Sequence, residues 1–355
     1  MLKGTGDCIK GKCMRKIHGG DIYTNKVKID FSVNTNPLGI PKTVKDCLHE
    51  AVETCIQYPD IEAQNLKQAV ADMLHIQNEY LIFGNGASEL FMAIVHAIKP
   101  KKTVIPVPSF YGYEYAAAAS GGEIIYYETK EETQFRIGDD FFQILEKDVD
   151  LLFLANPNNP TGNLIRKDNL RTILRHCKDK GIVVVLDECF IEFCDGECSI
   201  IQEIEQFENV ILIRAFTKIF SIPGVRLGYL ICSNMELLTH IKKQIPEWNL
   251  SNFAQMAGCA CAAETEFIKK TVDYVKQERQ FLEMKLRQLG IRVFLSEANF
   301  IFLYSEKPLY EQMLKNGILI RDCSNFRGLL NGFYRIAVKS REENEILLNR
   351  IGEIN

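Results

Sequence analysis

From about residue 80 to residue 232 the chain alternates short apolar runs with stretches of helical periodicity. The runs are Tyr80–Phe83, Thr103–Val107, Glu123–Tyr127, Leu151–Ala155, Ile182–Leu186, Val210–Arg214 and Leu227–Cys232. Several are apolar throughout, the pattern of a strand covered on both faces, as in a parallel sheet. Helical segments such as Glu89–Ile98 and Lys167–Lys180 lie between them, so right-handed crossovers are predicted. The fold class is α/β, with a mainly parallel seven-stranded sheet flanked by helices in a large domain.

The flanks read differently. Residues 46–76 and 254–289 have helical periodicity, and Glu266–Leu289 predicts one long charged helix. Short strands follow at Arg292–Leu295, Phe300–Tyr304, Ile318–Arg321 and Gly332–Val338, then a last helix from Glu342. This predicts a smaller α+β domain drawn from both chain ends. Residues 1–45 form an arm and part of it, 46–250 the large domain, and 251–355 its C-terminal portion.

Bulk properties narrow the function. The 355 residues carry 42 Lys and Arg against 46 Asp and Glu, a net charge of −4. That predicts no basic face for nucleic acid and no attraction to an anionic membrane. No apolar run approaches the ~18 residues of a membrane span. The opening MLKGTGDCIKGKCMRK has no apolar signal core, which predicts a cytoplasmic protein with reduced thiols among its 12 cysteines. Neither Cys8 with Cys13 nor Cys189, Cys194 and Cys198 has zinc-site spacing, so no metal is predicted.

Four pieces carry chemistry, each after a predicted strand. In Ala215-Phe-Thr-Lys218-Ile-Phe-Ser-Ile-Pro-Gly-Val-Arg226, a buried lysine amine could attack an aldehyde, and Arg226 could fork onto a phosphate. Alone, Lys218 would read as a solvated surface lysine. Asp187 ends the run Val183-Val-Val-Leu-Asp187, where open α/β sheets bind ligands and a carboxylate could keep a pyridine nitrogen protonated. It could equally cap the next helix. Asn156-Pro-Asn-Asn159-Pro-Thr-Gly162 offers amides for a phenolic oxygen, though it is an unremarkable turn by itself. Phe83-Gly-Asn-Gly86-Ala87-Ser88 is a glycine turn into a helix, whose free N–H groups and Ser88 hydroxyl could hold a phosphate.

Together, from about residue 17 to the end, these pieces resemble fold-type I pyridoxal-phosphate enzymes, the aspartate aminotransferase superfamily. The resemblance implies pyridoxal 5'-phosphate as cofactor, bound to Lys218 as a Schiff base. It implies cofactor contacts from Asn159, Asp187, Thr217, Arg226, Gly86, Ala87 and Ser88, with Phe110 stacked on the ring. It further implies that Arg335 holds a substrate carboxylate, and that Tyr58 reaches the neighbouring subunit's cofactor in a homodimer with shared sites. A cofactor-binding transcription regulator would need an added DNA-binding domain, for which only about sixteen residues precede the resemblance.

Two subfamilies compete. The segments His18-Gly-Gly-Asp21 and Asp30-Phe-Ser32-Val-Asn34-Thr-Asn36-Pro resemble threonine-phosphate decarboxylases, as does Arg321-Asp-Cys-Ser-Asn-Phe326-Arg327-Gly-Leu329. So does Phe190, where histidinol-phosphate aminotransferases usually place tyrosine; Asp21 departs from a more usual asparagine. The resemblance implies decarboxylation of L-threonine O-3-phosphate to 1-amino-2-propanol phosphate, in cobalamin biosynthesis; the alternative is amino transfer from histidinol phosphate. A small phosphorylated amino acid or amine is the expected substrate. His18 and Arg321 are the candidate phosphate anchors, with Ser32, Asn34 and Arg327 behind them.

Overall fold

In the computed structural model, which describes residues 18–146 and 148–354, the seven apolar runs form one sheet. Its strands are β1 (Leu81–Gly84), β2 (Lys102–Val107), β3 (Glu123–Glu128), β4 (Leu151–Ala155), β5 (Val183–Asp187), β6 (Val210–Ala215) and β7 (Gly228–Ile231). The order is β1-β7-β6-β5-β4-β2-β3, and only β7 runs against its neighbours. The continuous hydrophobicity has a direct cause. Leu152, Leu154, Val184, Leu186 and Leu212 enter the core on one face, while Leu151, Phe153, Val185, Ile211 and Ile213 enter a second core on the other.

This topology fixes where chemistry can occur. The carboxyl ends of β1, β2, β4, β5 and β6 share one edge. Because β7 is antiparallel, its entry, Arg226 and Leu227, lies at that edge as well. The chain leaves β2 for β3 on one side, and leaves the neighbouring β4 for β5 on the other, a switch point of the kind that opens a crevice in open α/β sheets.

The C-terminal strands form a separate antiparallel sheet of β8 (Arg292–Val293), β9 (Phe300–Tyr304), β10 (Arg321–Asp322) and β11 (Phe333–Ala337), in the order β10-β11-β9-β8. The strand predicted over Ile318–Arg321 is divided. Ile318 and Leu319 pair in parallel with Ile29 and Asp30, and only Arg321 and Asp322 join β11. The break lets one segment serve two sheets and turns Arg321 toward the crevice. The helical stretch predicted over 46–76 is also interrupted: Lys42–Glu50 and Gln64–Leu74 are helices, joined through a 3₁₀ turn at Ala51–Ile56. The long charged helix spans Thr265–Gln288. Among the described residues no helix is long and apolar enough to cross a membrane, and no group of three His, Cys, Asp or Glu side chains could hold a metal. Cys8 and Cys13 lie outside the described residues.

Candidate active site

A cavity of about 690 Å³ opens at the shared edge. Lys218 lies on a four-residue helical turn, Phe216–Ile219, that directly follows β6, and its side chain enters the cavity. Burial, with the charges of Arg335 and Arg226 adding to it, pushes the amine down to about 8. The turn is anchored from the N-terminal segment: Asn36 donates its backbone N–H to the Lys218 carbonyl at 3.0 Å and its Nδ2 to the Ile219 carbonyl at 2.7 Å. Asn36 belongs to the Asp30–Pro37 segment, yet only the tertiary contact gives it this task.

Asp187 lies at the cavity floor. Its Oδ2 accepts from the Tyr113 hydroxyl at 2.5 Å and its Oδ1 from the Cys189 N–H at 2.9 Å. Burial raises its carboxyl, and these hydrogen bonds and the Lys218 charge oppose that rise. Tyr113 was missed in the sequence. The available signal was its place three residues after Phe110, on the same face of the helix Tyr111–Ala119.

The glycine turn after β1 forms a cradle. Gly86 has φ of +78°, and a Cβ there would lie 2.1 Å from Arg226 Nη2. Only glycine permits both the backbone and the guanidinium's approach. Gly86 caps the helix Ala87–Ile98 without a side-chain acceptor for its first N–H groups. Ala87, Ser88, Thr217 and Arg226 all line the cavity there, while Gly86 stands behind Arg226.

The opposite wall comes from the small sheet. Arg321 and Arg335 are direct cross-strand partners on β10 and β11, so both guanidinia leave the same face. Both residues are only 6% exposed. Arg335 donates Nη2 to the Ser32 carbonyl at 2.7 Å and Nη1 to Asn159 Oδ1. Asn34, with its amide oxygen turned to the guanidinium, accepts from Nη1 at 3.2 Å and Nε at 3.3 Å. Arg321 donates Nη2 to Asn325 Oδ1 at 2.8 Å and lies over the Phe326 ring at 5.0 Å. Burial holds both guanidinia below their usual range, Arg335 at about 10 with Arg321 contributing.

His18 is exposed at the mouth, with its ring 5.8 Å from Phe110. Partial shielding and the charges of Arg321, Arg335 and Lys218 lower its pKa. The following glycine is a packing requirement, since a Cβ on Gly19 would lie 2.3 Å from the Ser32 carbonyl oxygen. Ser32 lines the cavity, but its hydroxyl is committed to Asp30 Oδ1 at 2.6 Å and to the Gly20 N–H at 2.7 Å. Tyr58 does not line the cavity: it is 83% exposed and its ring stands 5.2 Å from that of Trp248.

A buried lysine of depressed pKa, a floor carboxylate and a helix-start anion cradle beside an arginine fit one cofactor, a phosphorylated pyridine aldehyde. The molecule is a pyridoxal-phosphate enzyme of lyase or transferase type. It belongs to the aminotransferase class I and II family, whose pattern matches residues 26–351. A protein of Caldanaerobacter subterraneus subsp. tengcongensis, named among the threonine-phosphate decarboxylases, is 38% identical, covering 94% of this chain and 92% of its own. The threonine-phosphate decarboxylase of Salmonella typhimurium is 33% identical, covering 90% and 89%. The crystal structure of the histidinol-phosphate aminotransferase from Clostridium acetobutylicum superposes with a TM-score of 0.86 at 34% identity, over 92% of this chain and 99% of that one.

Proposed function

We propose that the enzyme decarboxylates L-threonine O-3-phosphate to 1-amino-2-propanol phosphate. One observation carries the reading: Arg321 and Arg335 stand side by side, buried, on the cavity wall. Two guanidinia presented side by side on one wall suit a ligand that brings an anion to each. L-Threonine phosphate brings two anions on one short frame, an α-carboxylate and a phosphate. Histidinol phosphate has no carboxylate and 2-oxoglutarate, its amino acceptor, has no phosphate, so neither brings a carboxylate and a phosphate together. Phe190, buried at the cavity, favours the same reading, because it leaves out the hydroxyl typical of the aminotransferases at this position.

In this reading Lys218 bonds the cofactor, Asp187 holds the pyridine nitrogen protonated, and Asn159 faces the ring oxygen. Arg226, Thr217, Ser88 and the N–H groups at the Ala87 helix start hold the cofactor phosphate, and Phe110 covers the ring. Bound there, pyridoxal phosphate accepts the electron pair of a broken Cα bond. Which bond breaks depends on how the chain orients the substrate. Arg335 takes the carboxylate, and Arg321 with His18 takes the phosphate. Two fixed anchors leave a single rotation about Cα, the one that decides between losing CO2 and losing a proton. Lys218, displaced from the cofactor by the substrate amine and protonated, would then give Cα the proton that replaces CO2. The enzyme acts as a cytosolic homodimer, in which Tyr58 completes the neighbouring subunit's cofactor site.

The test is incubation with L-threonine O-3-phosphate and no keto acid. Release of CO2 and formation of the amino alcohol phosphate are expected. Amino transfer from histidinol phosphate to 2-oxoglutarate, with no CO2 from threonine phosphate, would reject the proposal in favour of the aminotransferase reading.

A further inference from the structure

The segment after β10 crosses from the small sheet to the large domain and closes one side of the cavity. Asn325, Phe326 and Arg327 all line it. Arg327 reaches the helix Tyr111–Ala119, where Nη2 donates to Glu114 Oε1 at 2.8 Å and Nε to Oε2 at 3.2 Å. Its guanidinium also lies over the Tyr126 ring, on edge strand β3, at 4.0 Å. Three features thus coincide on one residue: a two-point charge-assisted bond, a cation–π contact and a span between the two sheets' layers. Gly328, at φ of +82°, brings the backbone close to Val107 and Pro108 just beyond. Arg327 had seemed a lesser candidate for the substrate phosphate, but its fork is turned onto Glu114.

We propose that Glu114 and Arg327 are a latch that holds the 323–330 segment over the cavity mouth, limiting solvent entry to the cofactor and fixing the wall that carries Arg321. The second effect follows from chain continuity. Asn325 and Phe326, which bond and underlie the Arg321 guanidinium, immediately precede Arg327. Releasing Arg327 frees the support of Arg321 without touching Arg321. The pair therefore acts as positioning residues. This link to phosphate recognition rests on the substrate reading above; the closure of the mouth does not.

Sodium borohydride reduces the bond between lysine and cofactor only where it can enter, so bleaching of the holoenzyme's absorbance reads closure without any substrate. Glu114→Gln and Arg327→Ala should each raise that rate roughly threefold to tenfold, the scale of one half-exposed ion pair with a cation–π contact. The double variant should be no faster than the faster single, because either change opens the same latch. Wild-type rates in both singles, or a double variant at the product of the two effects, would overturn the proposal. Glu114→Gln preserves volume, so it decides alone if Arg327→Ala does not fold: bleaching at the wild-type rate then refutes the latch. In a parallel arm both singles should raise KM for L-threonine phosphate by a similar factor with kcat nearly unchanged. A KM that does not move, beside faster bleaching, would overturn the Arg321 link while leaving the latch in place.

Discussion

Lys218 is surrounded by low-dielectric protein and two guanidinia, so its charged form is penalised and the amine titrates near 8 instead of 10.5. At pH 7 roughly a tenth of it is neutral, against fewer than one in a thousand for an unperturbed lysine. Loading of the apoprotein with pyridoxal phosphate should therefore quicken as pH rises through about 8 and level off above it. Stopped-flow absorbance would check this; a rate still climbing steeply from pH 9 to 10 would mean an amine of ordinary basicity. Lys218→Ala should abolish turnover with little change in melting temperature. Arg321 is the sharper test of specificity. Losing one charge-assisted contact to a buried phosphate costs on the order of 1.5–3 kcal/mol, so Arg321→Ala should cut kcat/KM for threonine phosphate roughly tenfold to a hundredfold or more. Unphosphorylated L-threonine should lose little, because it never makes that contact. Equal losses on both would assign Arg321 to the fold.

The turn between β1 and its helix is where an element and a residue cannot be separated. Gly86 occupies a backbone region closed to side chains, and its missing Cβ makes room for the Arg226 guanidinium. Gly86→Ala should cost about 1–3 kcal/mol from backbone strain alone. It should also displace Arg226 and weaken cofactor binding by roughly tenfold or more, the scale of a lost charge-assisted contact. A calorimetric scan of the apoprotein and a spectral titration with pyridoxal phosphate measure the two effects separately. Strain without weakened binding would show that Arg226 has room to move. The antiparallel strand β7 is the companion device: by running backwards it delivers Arg226 to the edge where every other strand ends.

For the whole molecule, the exposed apolar side chains are informative. Val52, Ile56 and Tyr58 lie along one segment, with Trp248 against Tyr58, and Asn252 ties that segment down through the Thr54 and Gln57 carbonyls. Large apolar groups gathered at the surface mark an interaction site, in keeping with the proposed homodimer. Sedimentation equilibrium should give about twice the chain mass of 40.5 kDa. A monomer with full activity would refute a shared site.

Apolar runs and turn glycines have local causes, so the seven-stranded sheet and the setting of Lys218, Asp187, Asn159 and Gly86 at strand ends were legible in the chain. The stretch over Ile318–Arg321 was not, because an apolar run carries no mark of which sheet each residue joins. Tyr113, Asn36 and Glu114 were missed for a related reason: a helical tyrosine, an asparagine near a proline and a surface glutamate are ordinary until a distant segment docks on them. Sequence alone determined the strands, the cofactor class and the residue types of its chemistry, since these depend on local periodicity and side-chain identity. Only the tertiary structure decided that two arginines stand in register and that Lys218 is buried enough to titrate near 8. Register and desolvation are properties of what surrounds a residue, and chain folding sets them.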